Sequence, residues 1–595
     1  MMRLDKFSLR ARYLFPVSLG AALLCVYVLP FCFPPSHPAI SQSYVVGYNN
    51  KVAVVSLELI SVLVALLSFR RNGVAPRDFK REPMVSWPWL ASALVLVAAW
   101  NGGLSWFVFA AHNYGVEDFH YLPQLGKFYY LHRHLYRDIE FPYGQLLFYP
   151  PVWVHWLLTP FHISLRASYY IAFLLHHLLG VGMLYFVVNR LPMPRAMRVA
   201  AFACITMFSF NPALGANYAL LRYMLPVFLF VLFSRIERPV VAALAAGLVQ
   251  ILTWFDSPEQ AISFGFAVVV YCCYRACRQR NPLWMAPIAG AVAGTALYLV
   301  FTDPNFLPTF VHELHGGFNQ VPLASLEVIT LIVATVWLVP RLIARHLNQK
   351  TSQSGLLLGL YALGLGLLPA SLGNADVVHI AGNSAVLFLL SLVAVAEWKL
   401  PMRGLWTAAV AATYLLMVAR WYSEAHRRFY PNIACINENL TPLAARLPSR
   451  LASQLPAFEQ KWHCYSSQPL DVAALHAAIG DAPFASPYRM PEIVEEELPH
   501  VRNFVPSYWS GTTNLWDAEM EQKKVDELRQ VRWAIIWPPF GVTPIETNSY
   551  ARFAISTPYR IVHPGDWDGL LANEIYRNWE LTGHIGNYLL YRRVR

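Results

Sequence analysis

The sequence predicts an α-helical polytopic membrane protein of about thirteen transmembrane helices with a C-terminal α/β or α+β domain, and three observations carry that reading. The 595 residues are 56% hydrophobic and 14% charged, with a mean hydropathy of +0.38, whereas soluble domains run at about 45–50% apolar and about 25% charged. The charge is also uneven, because most carboxylates fall in 420–595 or in a few short loops. Finally, many apolar runs reach the length of about 20 residues that a bilayer crossing needs.

Taken in order, apolar runs predict spans near 13–33, 52–69, 86–110, 167–189, 197–212, 214–234 and 239–255. The series continues near 260–274, 284–301, 324–340, 355–371, 380–397 and 405–421. The first run follows a basic flank and resembles a signal peptide only in that flank. Its apolar stretch is too long for a signal core, and no small-residue cleavage site follows. The segment 144–162, GQLLFYPPVWVHWLLTPFH, is apolar but broken by Pro150-Pro151 and Pro160. A full crossing there would invert every later loop, so the expectation is a partly inserted or re-entrant helix.

The net charge of +11 does not point to nucleic acid, because the cations cluster in short loops between apolar runs. These are Arg70-Arg71, Arg77 to Arg81, Arg190 to Arg198, Arg235 and Arg238, Arg275 to Arg280, Arg341 to Lys350, and Lys399 with Arg403. Lys and Arg accumulate in cytoplasmic loops, and with the N-terminus inside every one of these clusters falls inside. The expectation is an integral protein of a bacterial cytoplasmic (inner) membrane, with residues 1–421 as the membrane module and 422–595 as an extracytoplasmic domain. Cys272, Cys273 and Cys277 sit at the end of a span as packing residues. An extracytoplasmic C-terminal domain would permit a disulfide between its two cysteines, Cys435 and Cys464.

With that orientation, the outer loops collect nearly all the acidic residues of the membrane module. The loop 111–143 carries Glu117, Asp118, Asp138 and Glu140 with Lys127, Arg133 and Arg137. Later outer ends carry Arg222, then Asp256 and Glu259, then Asp303, His312, Glu313 and His315, and finally Asp376 and His379. Charge near membrane depth is expensive and usually marks a functional path. The plainer alternative for any single one is a solvated turn residue, but acid, base and histidine converge on one face from several loops.

Here the sequence resembles a family. The acidic pair Glu117-Asp118 follows an early span, and an aromatic amphipathic loop leads through Tyr136-Arg137-Asp138 and Pro142-Tyr143-Gly144 into an apolar helix. This resembles the first extracytoplasmic loop of the GT-C superfamily of polytopic membrane glycosyltransferases, which use polyprenyl-phosphate-linked sugar donors. The segment LGNADVVHI, 372–380, is similar to a Gly-Arg-x-Asp-x-x-His pattern of such proteins. Gln145 replaces the usual proline and Asn374 the arginine, so the resemblance gives position 374 no phosphate role. It covers roughly residues 86–380.

The resemblance implies an inverting glycosyltransferase that moves a hexosyl or pentosyl group from a polyprenyl-phosphate donor to an extracytoplasmic glycan, lipid or protein acceptor, and it implies an acidic catalytic base in this loop. A carboxylate against a hydrophobic wall becomes a stronger base. Asp118, between Val116 and Phe119, is the first candidate and Glu117 the second, with helix N-capping as the alternative role. Asp138 could orient the acceptor, or pair with Arg133 or Arg137. The leaving phosphate needs fixed cations. Arg222 is the leading candidate because it stands at an outer boundary that the positive-inside rule does not explain, the alternative being an arginine that snorkels to headgroups. Lys127, Arg133, His312 and His315 are further candidates, and Asp256, Glu259, Asp376 and His379 complete the set. The sequence 312–315, HELH, is not the HExxH arrangement, so no metal or other cofactor is expected.

In the C-terminal region VRWAIIW and NYLLYRRV read as strands, and DVAALHAAIGD and MEQKKVDELRQ as helices. No phosphate loop or nucleophile elbow accompanies them, and the expected role is acceptor binding or covering the membrane site. The alternatives in function are a polysaccharide polymerase or ligase, or a transporter or flippase of a lipid-linked glycan. Transporters often show repeats and midplane charges, which this chain lacks.

Overall fold

The computed structural model describes residues 6–35, 43, 47–69, 83–110, 118–139, 141–316, 320–398, 400–429, 471–485, 504–505, 518–536, 574, 577–586 and 588–594. Glu117, Cys435 and Cys464 lie outside them. Helices α1 (Lys6–Tyr27), α2 (Asn50–Phe69) and α3 (Trp87–Ala110) come first. Next are α4 (Asp118–Leu131), α5 (Pro150–Leu158), α6 (Leu165–Val188) and α7 (Arg195–Thr206). Helices α8 (Leu220–Phe233), α9 (Pro239–Asp256), α10 (Pro258–Gln279), α11 (Ala286–Phe301) and α12 (Phe306–Gly316) follow. The membrane module closes with α13 (Leu326–Asn348), α14 (Ser354–Gly373), the pair α15 (Val377–Asn383) and α16 (Ala385–Val395), and α17 (Leu400–Phe429).

Local chemistry sets many of these starts. Proline occupies the first helical turn of α5, α9 and α10, where its missing N–H leaves nothing unpaired. Ser164 caps α6 by accepting the Ala167 N–H, and Asp376 caps α15 by accepting those of Val378 and His379. Among the described residues, nine helices of at least 18 residues are apolar enough to cross a membrane, and ten if α15 and α16, bent by 66°, count as one span.

Each of the thirteen expected segments contains helix, but not always enough of it to cross. Helix α7 has 12 residues and α8 has 14. At 1.5 Å per residue these are about 18 and 21 Å long, against about 30 Å of hydrocarbon. Between them the chain leaves the α-helix, and every residue from 211 to 219 is buried. Apart from a 3₁₀ turn at Ala216–Tyr218 the stretch is irregular, and such backbone is tolerated at this depth where protein surrounds it. The segment 144–162 forms no helix of spanning length, because α5 has nine residues. Its Pro151 and Val152 face inward while Trp156, Leu157 and Phe161 are exposed.

Hydrogen bonds between helix ends sort the loops into two faces. Asn50 at the start of α2 donates to the carbonyls of Gln320 (2.8 Å) and Leu372 (3.0 Å). At the opposite end Asn189 accepts the Val85 N–H (2.7 Å), and Arg278 donates to the Lys350 carbonyl (2.7 Å). The loops grouped by their basic residues therefore meet. Helices α9 and α11 approach closely at glycine, since a Cβ on Gly290 would lie 2.0 Å from the Ala243 carbonyl oxygen and one on Gly294 2.3 Å from that of Gly247.

The C-terminal residues form a five-stranded mixed sheet of order β2-β1-β3-β5-β4, with β1 Phe484–Ala485, β2 Phe504–Val505, β3 Trp533–Ile536, β4 Trp579–Ile585 and β5 Tyr588–Arg593. Strand β1 pairs in parallel with β2 and β3, and β3–β5–β4 is antiparallel. The β4–β5 hairpin turns at Gly586, whose φ of 57° suits a tight turn. Helices α18 (Val472–Ile479) and α19 (Ala518–Arg529) coincide with the two expected helical stretches. The apolar cluster of Leu475, Ile479, Phe484, Ile535, Ile585 and Leu590 also receives Tyr130 and Leu131 from α4. The sheet thus rests on the far end of the helix that Asp118 begins.

Candidate functional site

Asp118 is the first residue of α4 and fully buried. The Tyr170 hydroxyl donates to its Oδ2 at 2.6 Å. Arg166, one turn earlier on α6 and also buried, faces the same hydroxyl. A carboxylate at a helix N-terminus is favoured by the helix dipole, and the hydroxyl fixes its orientation. The expected apolar wall is therefore joined by a polar partner from a helix 52 residues away.

One turn further along α4, the Tyr121 hydroxyl accepts the Asn217 backbone N–H (3.0 Å). Asn217 lies in the buried segment between α7 and α8, within a short 3₁₀ turn, Ala216–Tyr218, and outside any α-helix. Its carbonyl accepts from Arg222 Nη1 (2.9 Å) and from the Tyr223 hydroxyl (3.0 Å), and its side-chain amide reaches the Tyr143 hydroxyl (3.3 Å). The Arg222 guanidinium lies 4.4 Å from the Tyr143 ring centre and 5.4 Å from that of Tyr223.

Arg222, the leading cation candidate, is drawn into the protein rather than left at the lipid boundary. It is 4% exposed, and its Nη2 forms an ion pair with Glu259 in the first turn of α10. Burial of an arginine demands such a partner, and the snorkelling alternative is excluded by the same fact. Asp256, three residues before Glu259, is fully buried, and neither carboxylate oxygen has a hydrogen-bond partner among the described residues. Gly144 seats this corner: its N–H donates to the Asp256 carbonyl (3.1 Å), and a Cβ there would stand 2.2 Å from the Phe255 carbonyl oxygen.

The Asp376–His379 pair joins the cluster from α15. His379 Nδ1 lies 2.8 Å from Asp376 Oδ2, and Nε2 lies 3.2 Å from the Asn374 amide. With the amide donating, the ring is held as the Nδ1–H tautomer. It packs 5.6 Å from the Tyr218 ring, again on the buried segment. Asn374, which stands where the family pattern has arginine, thus positions a histidine.

Other candidates stay apart. Asp138 stabilises its own turn, accepting the His134 N–H (2.9 Å) and pairing with Arg137 (3.4 Å). Burial alone would raise its carboxyl, but that N–H and Arg137 outweigh burial and hold it below the usual range. Lys127 is buried two and a half turns along α4, and Arg133 is exposed beyond its end. His312 and His315 fall on α12, with side chains outside the described residues. Sequence reasoning overlooked Tyr170, Arg166, Tyr121, Asn217 and Tyr223. Arg166 carried the same signal as Arg222, a cation at the end of a span that the basic-loop pattern leaves unexplained.

Fold and site together define a polytopic membrane protein with a buried, tyrosine-lined cluster of acids and arginines at one end of its helices. No protein-family model and no curated protein matches the chain. Its structural neighbours include two crystal structures of ArnT from Cupriavidus metallidurans. One, bound to undecaprenyl phosphate, shares 10% identity at a TM-score of 0.40, covering 85% of this chain and 98% of that one. The other, in the apo state, shares 13% identity at a TM-score of 0.41, covering 84% and 98%.

Proposed function

We propose that the chain is a membrane glycosyltransferase of the GT-C type that transfers a sugar from a polyprenyl-phosphate donor to an acceptor hydroxyl on the extracytoplasmic side. The observation that carries the reading is the fully buried Asp118 carboxylate, oriented by Tyr170 and linked through Tyr121 and Asn217 to a buried arginine. In the reaction the acceptor oxygen attacks the anomeric carbon as Asp118 takes its proton. The bond from that carbon to the phosphate oxygen breaks, and the lipid phosphate leaves with the electron pair. Arg222 offers charge to the departing phosphate while Glu259 holds it in place. Attack opposite the leaving group inverts the anomeric centre. Asp256 is a second buried carboxylate available to the sugar or acceptor hydroxyls. The C-terminal sheet, resting on Tyr130 and Leu131, is suited to cover the acceptor approach.

Asp118→Asn tests the reading. General-base assistance is worth about 10²–10⁴ in rate, so release of polyprenyl phosphate, assayed in membranes containing the native acceptor, should fall by that factor while undecaprenyl phosphate binding persists. Glu117→Gln should cost less. Normal turnover in both variants would remove this loop from the chemistry, and loss confined to Glu117→Gln would move the base there. Tyr170→Phe should lower turnover by less than Asp118→Asn, because it removes only the orienting hydroxyl.

A further inference from the structure

At the opposite end of the bundle, on the face that gathers the basic loops, a cavity of about 430 Å³ opens between helices. Its lining includes Arg190, Arg235, Arg275 and Arg278, against a single carboxylate, Glu237. These arginines come from three separate places in the chain: just after α6, just after α8, and the last turns of α10. The positive-inside preference asks only that cations lie in the loops. It does not require four of them to converge on one cavity.

Their side chains are prepared for an anion. The Arg275 guanidinium lies 4.2 Å from the Trp284 ring centre, and its Nε is buried without a hydrogen-bond partner. Arg278 is fixed by donating to the Tyr274 hydroxyl (2.7 Å) and to the carbonyls of Thr351 (3.0 Å) and Lys350 (2.7 Å). Arg190 lies 5.0 Å from the Phe186 ring centre. Aromatic rings and carbonyls hold these groups without neutralising them, and among the described residues none of the four makes an ion pair. Arginine forks match phosphate oxygens in pairs, and basic pockets between membrane helices bind anionic headgroups. The volume lies within the roughly 300–1,000 Å³ of small-molecule sites, larger than a bare anion requires.

We propose that this cavity is a binding site for a phosphate group, presented either by an anionic phospholipid headgroup or by a free phosphate. It is independent of the chemistry proposed at the other end. The test uses the purified full chain and two probes: dioleoylphosphatidylglycerol, with dioleoylphosphatidylcholine as control, followed by native mass spectrometry, and inorganic phosphate followed by thermal stabilisation. Arg235→Gln together with Arg275→Gln should weaken binding about a hundredfold or more, since each lost bond to a charged group is worth about tenfold or more in affinity. Retention of phosphatidylglycerol over phosphatidylcholine, lost in the variant, assigns the lipid source. Stabilisation by phosphate alone, lost in the variant, assigns the free ligand. Equal behaviour of wild type and variant with both probes overturns the site. Arg235→Gln alone changes an exposed side chain and decides the matter should the double variant misfold.

Discussion

The two ends of the helical bundle use arginine in opposite ways. At the acidic end Arg222 is buried and matched to Glu259, an asparagine carbonyl and two tyrosine rings. At the basic end Arg190, Arg235 and Arg278 are exposed, and Arg275 stacks on Trp284 with no ion pair among the described residues. One end therefore fixes its charge internally. The other leaves charge available to whatever reaches it. The contrast teaches that an arginine count reports which side of a membrane a loop prefers, whereas the partners report what the arginine does.

The largest expected effect is all or none. In a background with the native cysteines replaced, Asn305→Cys and Thr582→Cys should react with an impermeant maleimide added to intact cells. Arg238→Cys should react only after the cells are opened. Labelling of all three from one side would dissolve the distinction between the ends and, with it, the proposed outer site.

Next in size is Glu259→Gln, which leaves Arg222 buried without its counter-charge. Breaking a buried pair this way costs about 3–5 kcal/mol, to be read from unfolding of the purified protein in detergent. A loss under about 1 kcal/mol would mean that Arg222 is effectively solvated, like its counterparts at the other end.

Backbone packing should differ as well. Gly144→Ala drives a methyl into the Phe255 carbonyl, and overpacking of this kind costs about 1–3 kcal/mol. Gly404→Ala, in α17 at the basic end with nothing within 4 Å, should stabilise by about 0.5–1 kcal/mol through helix propensity. Equal effects at the two glycines would show that the acidic end has room to relax.

The smallest effect concerns Asp138. Its folded carboxyl is held below the unfolded value of about 4, so its stabilising contribution is present above that value and is lost as pH falls through the folded value. Comparing melting of wild type and Asp138→Asn at neutral and acid pH should show a gap that closes on acidification. A gap that persists at acid pH would mean that the carboxylate charge is not what holds the turn.

Much of this architecture was legible in the sequence because bilayer insertion is read along one dimension. Apolar length placed α2, α3, α6 and α9 to α11 within a few residues, and the basic loops that share a face do meet, as Asn189–Val85 and Arg278–Lys350 demonstrate. The sequence could not foresee that α7 and α8 stop short. Hydropathy does not show where a helix ends inside the protein, and residues 211–219, NPALGANYA, are buried although they carry two asparagines and a proline.

The site divides along the same line. Asp118, Arg222, Asp256, Glu259, Asp376 and His379 could be singled out because each is a charged or titratable group next to an apolar run, an expensive placement visible from position alone. Which of them touch was decided by the tertiary structure. Arg222 meets Glu259 across 37 residues and Asp118 meets Tyr170 across 52, contacts that only the packing of separate helices creates. The sequence by itself determined where the helices lie and how charge is shared between the two faces, since both follow from the local cost of placing a residue in lipid. Tertiary structure alone decided that one set of arginines is buried and paired and the other open, since pairing depends on side chains that only packing brings together.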